Sequence, residues 1–108
     1  MGAFVVITTV GTEEQANLIA SELVARRHAS CVNIVTGVRS VYRWQGKICR
    51  DAEFLLIVKT LESEYAAVQA AIQERLQWAG KTMVTLPIRV REAAESAALA
   101  LHPPNPYP

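Results

Sequence analysis

The stretch Val41-Tyr42-Arg43-Trp44-Gln45-Gly46-Lys47-Ile48 decides how this chain is read. Two β-branched and aromatic runs meet at Gln45-Gly46, a dipeptide suited to a tight hairpin turn. Working outward, the first strand extends back to about Ser30 and the second forward to about Lys59. Each arm then holds roughly a dozen residues, about twice the usual strand length. At about 3.3 Å per residue the ribbon is roughly 40 Å long. A compact chain of this size has a radius of gyration of only about 13 Å. The tip, with Tyr42 and Trp44, is therefore expected to overhang its own core. Exposed aromatics on an unpaired ribbon invite association unless a partner covers them. The ribbon thus predicts an oligomer.

The remaining elements frame that ribbon. Ala3 to Val10 is apolar and β-branched and reads as a buried strand that stops at Gly11. Thr12 is a predicted N-cap, with Gln15 three residues on and Glu13 and Glu14 in the first turn. The helix is expected over Glu13 to Arg27, with Ala16, Ile19, Ala20, Leu23 and Val24 on its buried face. Gly37 marks a bulge or bend in the first ribbon arm. Phe54-Leu55-Leu56-Ile57-Val58 is apolar on both faces, as in a strand covered from both sides. A second helix is predicted over Glu62 to Trp78, with Tyr65, Val68, Ile72 and Leu76 as its stripe and Gly80 beyond its end. Met83 to Val90 reads as a fourth strand, confined to an edge by Pro87. A short alanine-rich helix is predicted over Glu92 to Leu101, and the proline-rich tail 103–108 cannot be helix or central strand. The order β-α-β-β-α-β, with a C-terminal helix, predicts an α+β, ferredoxin-like sandwich over residues 1–102. One face of its four-stranded sheet is left bare, and a neighbouring subunit is the simplest cover.

Composition narrows the functional classes. The chain has 108 residues, 51% hydrophobic and 19% charged, with a net charge of +1. That is a soluble, globular balance, sufficient for one core. It lacks the clustered basic excess of a nucleic-acid binder; Arg26-Arg27 is the one adjacent basic pair. No apolar run approaches the ~18 residues of a membrane span. The N-terminus has no signal-peptide pattern, and Val6 stands where myristoylation needs Ser or Thr. The expected location is the cytoplasm. Cys31 and Cys49 fit no zinc or redox spacing, and the ribbon keeps them too far apart for a disulfide. Cys31 is expected to be a small buried residue. His28 follows a helix end, where a cation is favoured. No catalytic motif is present.

Together, Ala29-Ser30-Cys31-Val32-Asn33-Ile34-Val35, Ser40 through Ile48, Glu53 through Thr60 and Leu86-Pro87-Ile88 resemble the CutA family of divalent-cation tolerance proteins. The resemblance covers roughly residues 4 to 90. It implies a tight homotrimer, similar to that of the PII signalling proteins, in which the long hairpins wrap onto neighbouring subunits. Copper binding is attributed to some members. The positions the resemblance assigns to a thiol, an imidazole and a carboxylate hold Thr8, Leu76 and Thr82 here. Such side chains are poor copper ligands, so no metal is expected at that site and no cofactor is assigned.

The preferred reading is a non-enzymatic regulatory or ligand-sensing trimer associated with divalent metal ion tolerance. Its clefts between subunits are suited to a small anionic ligand. Candidate cleft or interface residues are Asn33, Tyr42, Trp44, Lys59 and Trp78. The alternative is a small enzyme with its site in the same cleft.

Overall fold

Alternation between core-facing and outward residues places β1 (Ala3–Val10) at the centre of the molecule. The computed structural model describes residues 2–76 and 86–89. After β1 come α1 (Glu13–Ala25), β2 (Cys31–Trp44), β3 (Lys47–Leu61), a 3-10 turn (Glu62–Glu64), α2 (Tyr65–Leu76) and β4 (Leu86–Arg89). All pairings are antiparallel, in the order β2-β3-β1-β4. This is the ferredoxin-like arrangement expected from the element order. The predicted helix at Glu92 to Leu101, the tail, and the residues at both ends of the predicted fourth strand lie outside the described residues.

One face of the sheet meets the two helices. Val6 and Val10 of β1 and Leu56 and Val58 of β3 are buried against Ala16, Ile19 and Leu23 of α1 and Val68, Ala71 and Ile72 of α2. Burying each large aliphatic side chain contributes about 1.5–3 kcal/mol. Val24, expected on this face, is 42% exposed, because it lies on the outer side of the Leu23 stripe. Phe4 packs edge-on to Tyr65, with ring centroids 5.8 Å apart. The Arg89 guanidinium lies 5.2 Å above the Phe4 ring. Arg89 also grips Glu62 through bonds of 2.8 and 2.7 Å, fixing the end of β4 to the 3-10 turn.

The helix ends follow local chemistry. The Gln15 amide donates to the Thr12 hydroxyl at 3.1 Å, the expected N-cap. At the other end α1 stops two residues sooner than its sequence pattern suggests. Arg27 adopts a left-handed backbone, φ 62°. The His28 amide then donates to the Leu23 carbonyl and the Arg27 amide to the Val24 carbonyl. These two bonds form a Schellman cap. The second helix is also displaced: its first turn, Glu62–Glu64, is 3-10, and regular α-helix starts at Tyr65.

The ribbon turns at Gln45-Gly46, both with positive φ (50° and 77°), as a two-residue hairpin turn of the primed type requires. A register shift lies between Val35 and Val38. Thr36 and Gly37 together oppose Phe54 there, and Gly37 has φ 76°. The bulge expected at Gly37 is present. Because of it, β2 residues 31, 33 and 35 share a face with residues 38, 40, 42 and 44.

Candidate functional site

Register defines two unlike surfaces on the side of the sheet away from the helices. Near the globule, Val5 and Ile7 of β1 adjoin Leu55 and Ile57 of β3, with Val35 and Ile88 beside them. Val35 is 39% and Ile88 41% exposed. This is the apolar face expected to need a partner. At its β2 margin, Lys59 sits directly across from Cys31 and diagonal to Asn33. The Cys31 thiol lies 3.9 Å from the Asn33 side-chain oxygen. A lysine and a carboxamide thus occupy neighbouring positions on this face. They can donate to an anionic group. Cys31 is half-buried, not buried as its residue type suggests, because it lies on the uncovered face.

The aromatic candidates lie elsewhere on the same face. Tyr42 is across from Cys49, and its hydroxyl donates to the Asp51 carboxylate. Trp44 is across from Lys47 and 46% exposed. Ten residues of β3 separate Cys49 from Lys59, roughly 33 Å at strand rise. One chain therefore presents Asn33 and Lys59 at the base of the ribbon and Tyr42 and Trp44 at its tip. Its fold does not bring the two pairs together. Trp78 lies outside the described residues.

Several polar contacts were not anticipated from sequence. Asp51 holds Tyr42. The His28 Nδ1 atom, just past the end of α1, lies 3.1 Å from the Glu64 carboxylate. The Thr60 hydroxyl donates to the His28 carbonyl at 2.5 Å, and Ser30 donates through both its amide and its hydroxyl to the Lys59 carbonyl. Counting outward from the Gln45-Gly46 turn would have found Asp51, since it lies diagonal to Tyr42. Two carboxyls are held below their ordinary range. For Glu22 the main cause is hydrogen bonding from Arg75, and for Glu62 it is hydrogen bonding from Arg89.

Of the three positions that the resemblance assigns to a metal, the side chain of Thr8 alone is among the described residues. Thr8 is 2% exposed, on the helix-facing side of β1. Its hydroxyl has no hydrogen-bond partner among the described residues. The Leu76 side chain and Thr82 lie outside them. Among the described residues, no group of three or more His, Cys, Asp or Glu side chains is placed to hold a metal ion. No described helix is long and apolar enough to cross a membrane.

The matches to known proteins agree with this fold and hairpin. The family model for "CutA1 divalent ion tolerance protein" matches residues 4–96. The "Divalent-cation tolerance protein CutA" of Thermus thermophilus is 43% identical over 84 residues, spanning 78% of this chain and 82% of that protein. "Protein CutA 1, chloroplastic" of rice is 38% identical across 81% of this chain, which spans about half (49%) of the rice protein's length. Among solved structures, rice CutA1 superimposes with a TM-score of 0.79 at 33% identity, covering 84% of this chain and 82% of that one. The Thermus thermophilus protein gives 0.73 at 38% identity, covering 88% and 92%. With its βαββαβ order, two-residue ribbon turn and Tyr-x-Trp tip, the chain belongs to the CutA family of divalent ion tolerance proteins.

Proposed function

We propose that this protein acts as a homotrimer that senses a small anionic ligand in the clefts between its subunits, without catalysing a reaction. The observation that carries this reading is the uncovered sheet face, where Val5, Ile7, Leu55 and Ile57 lie together and continue into the overhanging ribbon. Two further features support it. The outermost strands, β2 and β4, each have one edge without a partner strand among the described residues. The ribbon separates the base pair Asn33 and Lys59 from the tip pair Tyr42 and Trp44. A tip laid over a neighbour's base reunites them, with Trp78 as a further candidate. Lys59 supplies charge and Asn33 a polar anchor, while the aromatics close the cleft. The likeness to the PII trimer is one of architecture and does not by itself name a ligand.

A role in divalent metal ion tolerance, copper included, enters through the names of the relatives. In this chain it is regulatory, with no metal held by Thr8, Leu76 and Thr82. The enzyme alternative draws little support, since a thiol nucleophile needs an adjacent base. Among the described residues neither histidine nor carboxylate is bonded to Cys31. Two free thiols are in keeping with the cytoplasm.

Sedimentation at micromolar concentration tests the assembly, and a folded monomer would overturn it. Native mass spectrometry of trimer purified from cells tests the cleft. An anionic adduct lost on Lys59→Gln is expected; an adduct-free trimer would remove the ligand from the proposal.

A further inference from the structure

Cys31 and Lys59 face each other across the β2-β3 ladder. Directly opposed residues of antiparallel strands point to the same side of the sheet, with Cβ atoms about 4.5–5.5 Å apart. The flexible four-carbon stem of a lysine covers that gap. The backbone around the pair is clamped. The Lys59 carbonyl accepts from the Ser30 amide at 3.0 Å and from the Ser30 hydroxyl at 3.1 Å. On the other side of Lys59, the Thr60 hydroxyl donates to the His28 carbonyl at 2.5 Å. These bonds resist any slippage of the strands that would part the two side chains.

Neither side chain is strongly engaged elsewhere. Lys59 forms no ion pair among the described residues. Its neighbours on the same face are Val5 across β1, and Ile57 and Leu61 along β3, all half-buried. The Cys31 thiol has only its long contact with Asn33. Both members of the pair are half-buried, within reach of a small oxidant. Cys49 differs, because Tyr42 stands across from it and offers no nucleophilic nitrogen.

We propose that Cys31 and Lys59 form an oxidation-dependent cross-link: hydrogen peroxide converts the thiol to a sulfenic acid, and the lysine amine captures it as a sulfenamide. In the first step sulfur attacks one peroxide oxygen and the O–O bond breaks. Sulfur loses two electrons and gains a hydroxyl, and one water leaves. In the second step the lone pair of the neutral amine attacks sulfur. An S–N bond forms, the S–O bond breaks, and the hydroxyl leaves as water with a proton from nitrogen. One thiol, one amine and one hydrogen peroxide thus give one sulfenamide and two waters. An amine held opposite the sulfur acts at a high effective concentration, ahead of the second peroxide that would carry sulfur on to a sulfinic acid. The consequence rests on the anion cleft proposed above. An ammonium is exchanged for an uncharged nitrogen, so oxidation switches off the charge assigned to the ligand.

The test uses the full chain carrying Cys49→Ser, treated with hydrogen peroxide. A product about 2 Da lighter than the reduced protein is expected. Trypsin should then release peptides joined at Cys31 and Lys59, with cleavage after Lys59 blocked, and dithiothreitol should separate them. Adding Lys59→Arg keeps the charge and removes the nucleophilic amine. That variant should lose the joined peptide, react with dimedone at Cys31, and go on to a sulfinic acid about 32 Da heavier. Equal dimedone labelling and sulfinic acid with and without Lys59→Arg, and no joined peptide, overturn the inference. So does a Cys31 that stays a thiol. These readouts involve no ligand, so their failure leaves the anion cleft standing. An anionic adduct that survives Lys59→Gln removes the cleft reading and leaves the cross-link.

Discussion

Arg75 on α2 holds Glu22 on α1 through two hydrogen bonds, 2.6 Å from Nε and 3.0 Å from Nη2. The same carboxylate forms an ion pair with Arg26 at 2.7 Å, one helical turn away. The two helices are thus joined at their outer surface by one acid between two guanidinium groups.

This fork makes stability sensitive to acid. The Arg75 hydrogen bonds lower the Glu22 carboxyl below its ordinary value of 4.5, opposed by partial desolvation and aided by the Arg26 charge. A carboxyl lowered by folding contributes stability that is fully present above its unfolded value. That contribution is lost as pH falls through the folded value. Glu62, held by Arg89, acts in the same direction. Melting temperature should stay level near neutrality and fall below about pH 4.5. Arg75→Met should lessen that fall, as read from melting curves across the acid range.

Thr8 should be replaceable with profit to stability. Its hydroxyl is buried and has no partner among the described residues. Thr8→Val keeps the shape and removes the desolvated group. A gain of about 1 kcal/mol is expected, measured as a higher urea midpoint with unchanged slope. A loss would mean that the hydroxyl is bonded in solution.

Backbone handedness supplies a third prediction. Arg27 occupies the left-handed position of the α1 cap, which costs a non-glycine residue about 1–2 kcal/mol. Arg27→Gly relieves that strain but adds freedom to the unfolded chain. A net gain of about 0.5–1 kcal/mol is expected from denaturant unfolding. Gly46→Ala at the ribbon turn should have the opposite sign, since Gly46 has φ 77°.

Trp44 separates assembly from folding. It is 46% exposed on the single chain, so truncation removes little of its own packing. In the proposed trimer it is an anchor. Trp44→Ala should weaken association by about 2 kcal/mol or more and leave far-ultraviolet dichroism unchanged. Sedimentation over a dilution series measures the shift.

The order of elements was legible because each signal was local. Thr12 with Gln15, the β-branched run of β1, and Gln45-Gly46 each state their conformation within a few residues. The helix boundaries were less legible. The end of α1 depends on Arg27 turning left-handed, and arginine carries no such preference. The start of α2 depends on tertiary bonds, His28 to Glu64 and Arg89 to Glu62. The candidate site was half legible. Residue types pointed to Asn33, Lys59, Tyr42 and Trp44, but their spacing follows from register. Cys31 is half-buried where its residue type suggests burial, because residue type says nothing of which face lacks a cover.

The extra residue at Thr36-Gly37 acts on the ribbon as a frameshift acts on a message. Up to Val35 the odd-numbered side chains of β2 share a face with Leu55 and Ile57; past Val38 the even-numbered ones do. Deleting Thr36 or Gly37 would restore the frame: the bulge closes, Val38 stays opposite Glu53, and Tyr42 and Trp44 keep their surface. The extra residue thus changes the count along β2 and the local bend of the ribbon, and leaves the surface on which each distal side chain is read as it was.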